Sequence, residues 1–217
     1  MTLEQVEASC LEWLKDFEAT DSAHDISHIL RVVEAAKLLC IEEGANIDVV
    51  LPAAYLHDCV TLPKNHPDNH KSSTMAADKA IRLLENLEGY DKRLLSQVHH
   101  AIQTHSYSAN LKAETLEAKV LQDADRLDGL GAIGVSRCMA VAGKLGNKIY
   151  QMHDPFCELR NADSKVSAVD HFYEKLFKTA TTMQTQAGRA EAKKRVEFMQ
   201  GFLAQLGLEI GVIFTKE

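Results

Sequence analysis

Between Ile47 and Cys59 the chain reads Ile-Asp-Val-Val-Leu-Pro-Ala-Ala-Tyr-Leu-His-Asp-Cys, apolar at nearly every position up to Leu56. A helix with no polar face is a buried helix, so this stretch marks the interior of the fold. Pro52 leaves its start open, because proline suits a first helical turn better than an interior. The run then stops in His57-Asp58. Packing gives a buried helix no use for that pair, whereas imidazole beside carboxylate suits Mn, Fe, Ni or Zn better than Ca or Mg. Two ligands do not make a site. Taken alone, the two residues read equally well as a hydrogen-bonded polar pair.

The other periodic segments also follow helical spacing. Leu3, Val6, Cys10, Leu11, Leu14 and Phe17 recur at three- and four-residue steps and predict an amphipathic first helix. Ser22-Ala23-His24-Asp25 has the form of a capping box, followed by a stripe of Ile29, Val32, Val33, Ala36 and Leu39 that Gly44 closes. Thr61–His70 carries Pro63 and Pro67 and predicts a loop. Helices are expected at 71–87, 91–106, 113–127 and 130–143, then near 165–179 and 184–206. The aperiodic 145–163 stretch is long enough to act as a mobile lid. No strand alternation, internal repeat or low-complexity tract appears, so the expected class is all-α.

With 217 residues, 46% of them hydrophobic, the chain has enough apolar material for one sizeable domain. A net charge of −7 argues against a broad surface for DNA or RNA, but leaves room for a small anionic substrate in a local basic pocket. Five scattered cysteines without a C-x-x-C pair read as reduced thiols. The N-terminus lacks the features of a signal peptide, and no apolar run approaches the roughly 18–20 residues of a membrane span. A cytoplasmic protein is expected.

Three further clusters could complete a site around His57-Asp58. His28 sits inside the second helix with His24 four residues earlier on the same face; a lone helical histidine is more often structural. Gln122-Asp123-Ala124-Asp125-Arg126-Leu127-Asp128 ends a helix, and Asp125, four residues after Leu121, turns inward, where a carboxylate needs a cation or several donors. His100 and His105 share a face only loosely; either suits a second ion, a phosphate contact as imidazolium, or proton donation.

In order, these clusters form H…HD…D, and the sequence resembles the HD-domain metal-dependent phosphohydrolase superfamily. The likeness extends through Ala23-His24-Asp25-(x2)-His28-(x2)-Arg31-Val32 and His57-Asp58-(x5)-Lys64-Asn65-His66-Pro67. It continues through His100-Ala101-Ile102-(x2)-His105-Ser106-Tyr107-Ser108, Gln122-Asp123-Ala124-Asp125-Arg126-Leu127 and Asp154-Pro155-Phe156. This longer series looks like the small YedJ/YpgQ-like branch and covers residues 1–205.

The resemblance implies one all-helical HD domain of about eight to ten helices over residues 1–217. Its metal core would span 22–143, with helices over 164–206 packed on it. It implies one divalent ion on His28, His57, Asp58 and Asp125, with Asp123 the fallback for the last ligand. Manganese is foremost; Ni, Co, Mg, Fe and Zn suit the same donors. The implied reaction is hydrolysis of a deoxynucleoside triphosphate to monophosphate and pyrophosphate by metal-activated water. Asp58, Lys64, His100 and Arg126 are the candidate catalytic residues. His24, Arg31, His66 and His105 are candidate substrate contacts, and Arg31 also reads as a ligand-orienting residue or a surface ion pair. The Glu-Asp pair of the alarmone hydrolases and the G-Y-P segment of the cyclic-dinucleotide branch are missing. A phosphomonoesterase, a phosphodiesterase and a non-catalytic metal-dependent sensor are the alternatives. The expected partner is a small phosphorylated molecule, with no nucleic acid polymer and no membrane; a homodimer is compatible with the sequence.

Overall fold

The structure, a computed structural model, describes residues 1–15, 26–63, 66–106 and 109–215. Among them the regular elements are helical, and the only β pairing is an isolated bridge between Lys148 and Ser167. The chain divides into two compact units, Met1–Asp125 with Gln184–Gly188, and Arg126–Met183 with Arg189–Glu217.

The apolar run is α3 (Ile47–Leu56), and every residue from Val49 to Leu56 is buried. Asn46 caps its start, its side chain accepting the Asp48 N–H at 3.0 Å. Pro52 therefore lies inside the helix and leaves the carbonyl of Asp48, four residues back, without a helical donor. The buried Tyr90 hydroxyl supplies the missing bond at 2.9 Å. Packed against α3 are α1 (Leu3–Leu14), α2 (Ile26–Glu43), α4 (Ser72–Glu85) and α5 (Leu95–His105).

Local signals explain these partners. Thr2 and Gln5 form a capping box on α1, which buries Val6, Cys10 and Leu14 while Leu3 and Leu11 stay partly in solvent. Phe17 and the predicted box at Ser22–Asp25 lie outside the described residues. In α2 the buried stripe is His28, Ile29, Val32, Val33, Ala36, Leu39 and Cys40. It ends at Gly44, whose φ of +69° lets the Ala45 N–H reach back to the Cys40 carbonyl at 3.1 Å. Glu7 of α1 ties the three helices together, accepting from Tyr55 at 2.7 Å and Lys37 at 2.5 Å.

The first unit is completed by α6 (Leu116–Leu127) up to Asp125 and by the first residues of α10 (Gln186–Ile210). Buried Asp123 organises that junction. It accepts the Gln184 N–H at 2.9 Å and, through Oδ2, the Thr185 N–H at 2.8 Å and hydroxyl at 2.7 Å. Thr185 Oγ1 in turn caps α10 by accepting the Gly188 N–H at 2.9 Å.

In the second unit, α7 (Gly131–Leu145) packs against α8 (Ala168–His171). The single helix expected near 165–179 is instead α8, a π-helical turn over Phe172–Leu176, and α9 (Phe177–Ala180). Between α7 and α8 the long connection hangs on the fully buried Asp170 carboxylate. It accepts from both terminal nitrogens of Arg160, from Ser167 Oγ at 2.5 Å and from the Asp163 N–H at 2.7 Å. Burial opposes its ionisation, but these donors outweigh that cost and hold the carboxyl down at about 2. Among the described residues, no helix is long and apolar enough to cross a membrane.

Candidate metal centre

Burial of α3 sets the position of the centre, because His57 and Asp58 follow directly on its last residue. His57 is fully buried, and its Nδ1 faces the Ala54 carbonyl at 2.7 Å. Ala54 lies in the last turn of α3, whose carbonyls run out of helical N–H partners. With Nδ1–H donating there, Nε2 carries the lone pair. It points to His28 Nε2 at 3.3 Å and to Asp58 Oδ2 at 3.6 Å.

His28 comes from the buried stripe of α2, one turn before Val32. Its Nε2 lies 3.7 Å from Asp58 Oδ2 and 3.5 Å from Asp125 Oδ1 of α6. His105 enters from the last residue of α5. It is buried, its Nδ1 faces the Ile102 carbonyl at 2.6 Å, and its Nε2 lies 3.5 Å from Asp58 Oδ1. His57 stands edge-on to both neighbouring rings, with centroids 5.4 Å from His28 and 4.9 Å from His105.

Three imidazoles and two carboxylates thus form two overlapping groups, His28–His57–Asp125 and His57–Asp58–His105, each with one donor atom per residue within 4.8 Å of the others. Burial pushes the His57 imidazolium down; His105 and His28 add to this, and Asp58 opposes it. A neutral His57 is the form that can ligate a metal. Burial also disfavours charge on His105, but its pairing with Asp58 at 3.5 Å, the Asp125 charge and the Ile102 carbonyl outweigh it and raise its pKa.

The donor set fits a divalent ion. Nitrogen and oxygen ligands at about 2.0–2.2 Å stand about 2.8–3.6 Å from their neighbours in octahedral or tetrahedral geometry. The separations of 3.3, 3.5 and 3.6 Å lie in the upper part of that range, and the 3.7 Å separation lies just beyond it. They are longer than the 2.7–2.9 Å of charge-assisted N–H···O bonds. Imidazole with carboxylate favours a transition metal or zinc.

Other described residues singled out in the sequence have hydrogen-bond partners of their own. Asp123 binds residues 184–185, so Asp125 is the α6 carboxylate that joins the cluster. The partly exposed His100 accepts the Glu114 N–H on Nε2 at 3.1 Å. His66 is exposed, and its Nδ1 accepts the Asp68 N–H at 3.1 Å. Arg31 donates to Ser27 Oγ at 2.9 Å, and Arg126 donates to the Thr182 carbonyl at 2.9 Å within the second unit. His24 and Lys64 lie outside the described residues. Gln122 belongs to the sequence series but carried no role there, and it supports the site. Its buried amide donates to the Thr104 carbonyl at 2.8 Å and ties α6 to α5 beside His105.

The family model for the HD domain matches residues 25–130, a range that contains all five cluster residues. The protein YpgQ of Bacillus subtilis is 29% identical over 203 residues, covering 91% of this chain and 90% of its own. The crystal structure of an HD-superfamily hydrolase from Bacillus thuringiensis is 32% identical with a TM-score of 0.70, covering 95% of this chain and 96% of that one. The crystal structure of B. subtilis YpgQ in complex with ADP is 29% identical with a TM-score of 0.67, covering 95% of this chain and 93% of that one.

Proposed function

Because the chain belongs to the HD superfamily of metal-dependent phosphohydrolases, in the branch that includes YpgQ, we propose that its substrates are nucleotides. The reaction is cleavage of a deoxynucleoside triphosphate to the monophosphate and pyrophosphate. The observation that carries a hydrolytic reading is the convergence of buried imidazole nitrogens and carboxylates at the end of α3. The ADP in the YpgQ crystal structure supports the nucleotide part.

His28, His57, Asp58 and Asp125 are the residues proposed to hold the ion. A divalent ion there would supply a Lewis acid, making a water more acidic and polarising a phosphoryl oxygen. The residues of the chain do the rest. Backbone carbonyls fix the His57 and His105 rings. Water oxygen forms a bond to the α-phosphorus and its proton passes to solvent, as the bond from that phosphorus to the β-bridging oxygen breaks and pyrophosphate carries away the electron pair. Charge spreads over the equatorial oxygens in such a transfer, so cations favour it. Lys64 and Arg126 are the proposed cations, while His66 and His100 are proposed for phosphate contacts or for protonating the leaving group.

The test is a panel of deoxynucleoside and ribonucleoside triphosphates, phosphomonoesters and phosphodiesters, each with Mn, Ni, Co, Mg and Zn. Pyrophosphate with a nucleoside monophosphate is the expected product pair, fastest with Mn. Orthophosphate alone, or an opened diester alone, would replace this reading with a phosphomonoesterase or a phosphodiesterase. No turnover with any pair would leave a sensor.

A further inference from the structure

His100 and His105 lie five residues apart on α5, and the structure gives them different work. His100 spends Nε2 on the Glu114 backbone. His105 is buried and turns Nε2 onto Asp58 Oδ1 at 3.5 Å. The fold orients this ring as it orients His57. In each, Nδ1 faces the carbonyl three residues back, at 2.7 Å for His57 and 2.6 Å for His105, and Nε2 faces the Asp58 carboxylate.

Asp58 divides its two oxygens between these imidazoles. Oδ2 faces His28 and His57 at 3.7 and 3.6 Å, and Oδ1 faces His105. The His105–Asp58 separation equals the 3.5 Å between His28 and Asp125. Both are too long for a strong charge-assisted hydrogen bond and both suit two donors on one cation. A substrate contact would instead need the ring nitrogen turned away from the carboxylate towards open space.

We propose that His105 Nε2 is a direct ligand of the metal centre, a fifth protein donor beside His28, His57, Asp58 and Asp125. The inference rests on the cluster being a metal centre, and it moves His105 from substrate contact to ligand.

The test is titration of the metal-free full-length protein with Co2+, following both affinity and the visible d–d band, which reports the ligand set. His105→Ala weakens Co2+ binding by more than the about ten- to hundredfold that loss of a merely orienting partner causes, and alters the band. His105→Gln, which keeps a donor oxygen, retains part of the affinity with an altered band, and it carries the test if the alanine variant fails to fold. Asp125→Ala is the control. Unchanged affinity and band in the His105 variants, with binding weakened in Asp125→Ala, overturns the inference and leaves the metal centre standing. Weakened binding with an unchanged band also overturns it, since His105 would then only orient Asp58. A raised KM with unchanged Co2+ binding returns His105 to the substrate. If none of the variants alters Co2+ binding, the reading of the cluster as a metal centre falls with it.

Discussion

Asp170→Asn keeps the volume of a fully buried side chain and removes its charge. In the folded chain Arg160, Ser167 and the Asp163 N–H outweigh the burial cost and hold this carboxyl at about 2. An unfolded chain would bring it to about 3.9, a difference worth about 2–3 kcal/mol of stability at neutral pH. Because the folded pKa is the lower one, this stability is fully present above about pH 4 and is lost as pH falls towards 2. About half of it is gone at pH 3. Asparagine also turns an NH2 group towards donors, so the whole substitution costs about 3–5 kcal/mol near neutrality. Urea denaturation of wild type and variant at pH 6 and pH 3 measures both quantities. The gap between the two proteins should narrow by about 1 kcal/mol on going to pH 3. A gap equal at the two pH values would refute the reasoning, because the charge of Asp170 would then not be what organises the connection.

Gly188→Ala gains helix propensity but places a Cβ 2.3 Å from Asp123 Oδ2 and 2.7 Å from Thr185 Oγ1, so it should lose about 1–3 kcal/mol in denaturant titration. A neutral or stabilising result would show that Asp123 does not hold residues 184–185 tightly. Tyr90→Phe leaves the Asp48 carbonyl freed by Pro52 without its hydroxyl donor and should cost about 1 kcal/mol in the same assay. Asp58→Ala should abolish hydrolysis and lower metal content by elemental analysis while the helical circular-dichroism signal persists; full activity would remove Asp58 from the centre.

Helical periodicity and the apolar run carry local information, and they were enough for the class, for most helices and for α3 as a buried element. What they could not carry depends on contacts distant in the chain. Pro52 left the start of α3 open because the carbonyl it frees, that of Asp48, finds its donor on a tyrosine 42 residues further along the chain. Asp123 and Asp125 are two residues apart, on nearly opposite helix faces, and the spacing marks one as inward without showing what the other binds. The partners of Asp123 arrive from residues 184–185. His100 and His105 share a face only loosely, so spacing alone left both as phosphate contacts, ligands or acids. The Glu114 amide and the Asp58 carboxylate separate them in space. The π turn after α8 has no composition signal of its own, since Phe172–Leu176 reads as ordinary helix.

The histidine that ends a buried apolar helix has a physical reason that precedes any chemistry. A helix sunk in the core must find donors for its last carbonyls, and water is excluded there. An imidazole just past the last turn can donate from Nδ1 to such a carbonyl, as His57 does to Ala54, and the end of α5 repeats the arrangement with His105 and Ile102. That bond fixes the tautomer and ring plane, so the same proton that satisfies the helix leaves Nε2 directed at Asp58. Replacing either histidine by an apolar residue would therefore remove a donor from a buried carbonyl as well as a nitrogen from the cluster. The helix terminus and the proposed ligand geometry depend on one hydrogen bond, and the rigidity of the site follows from the burial of the helix that carries it.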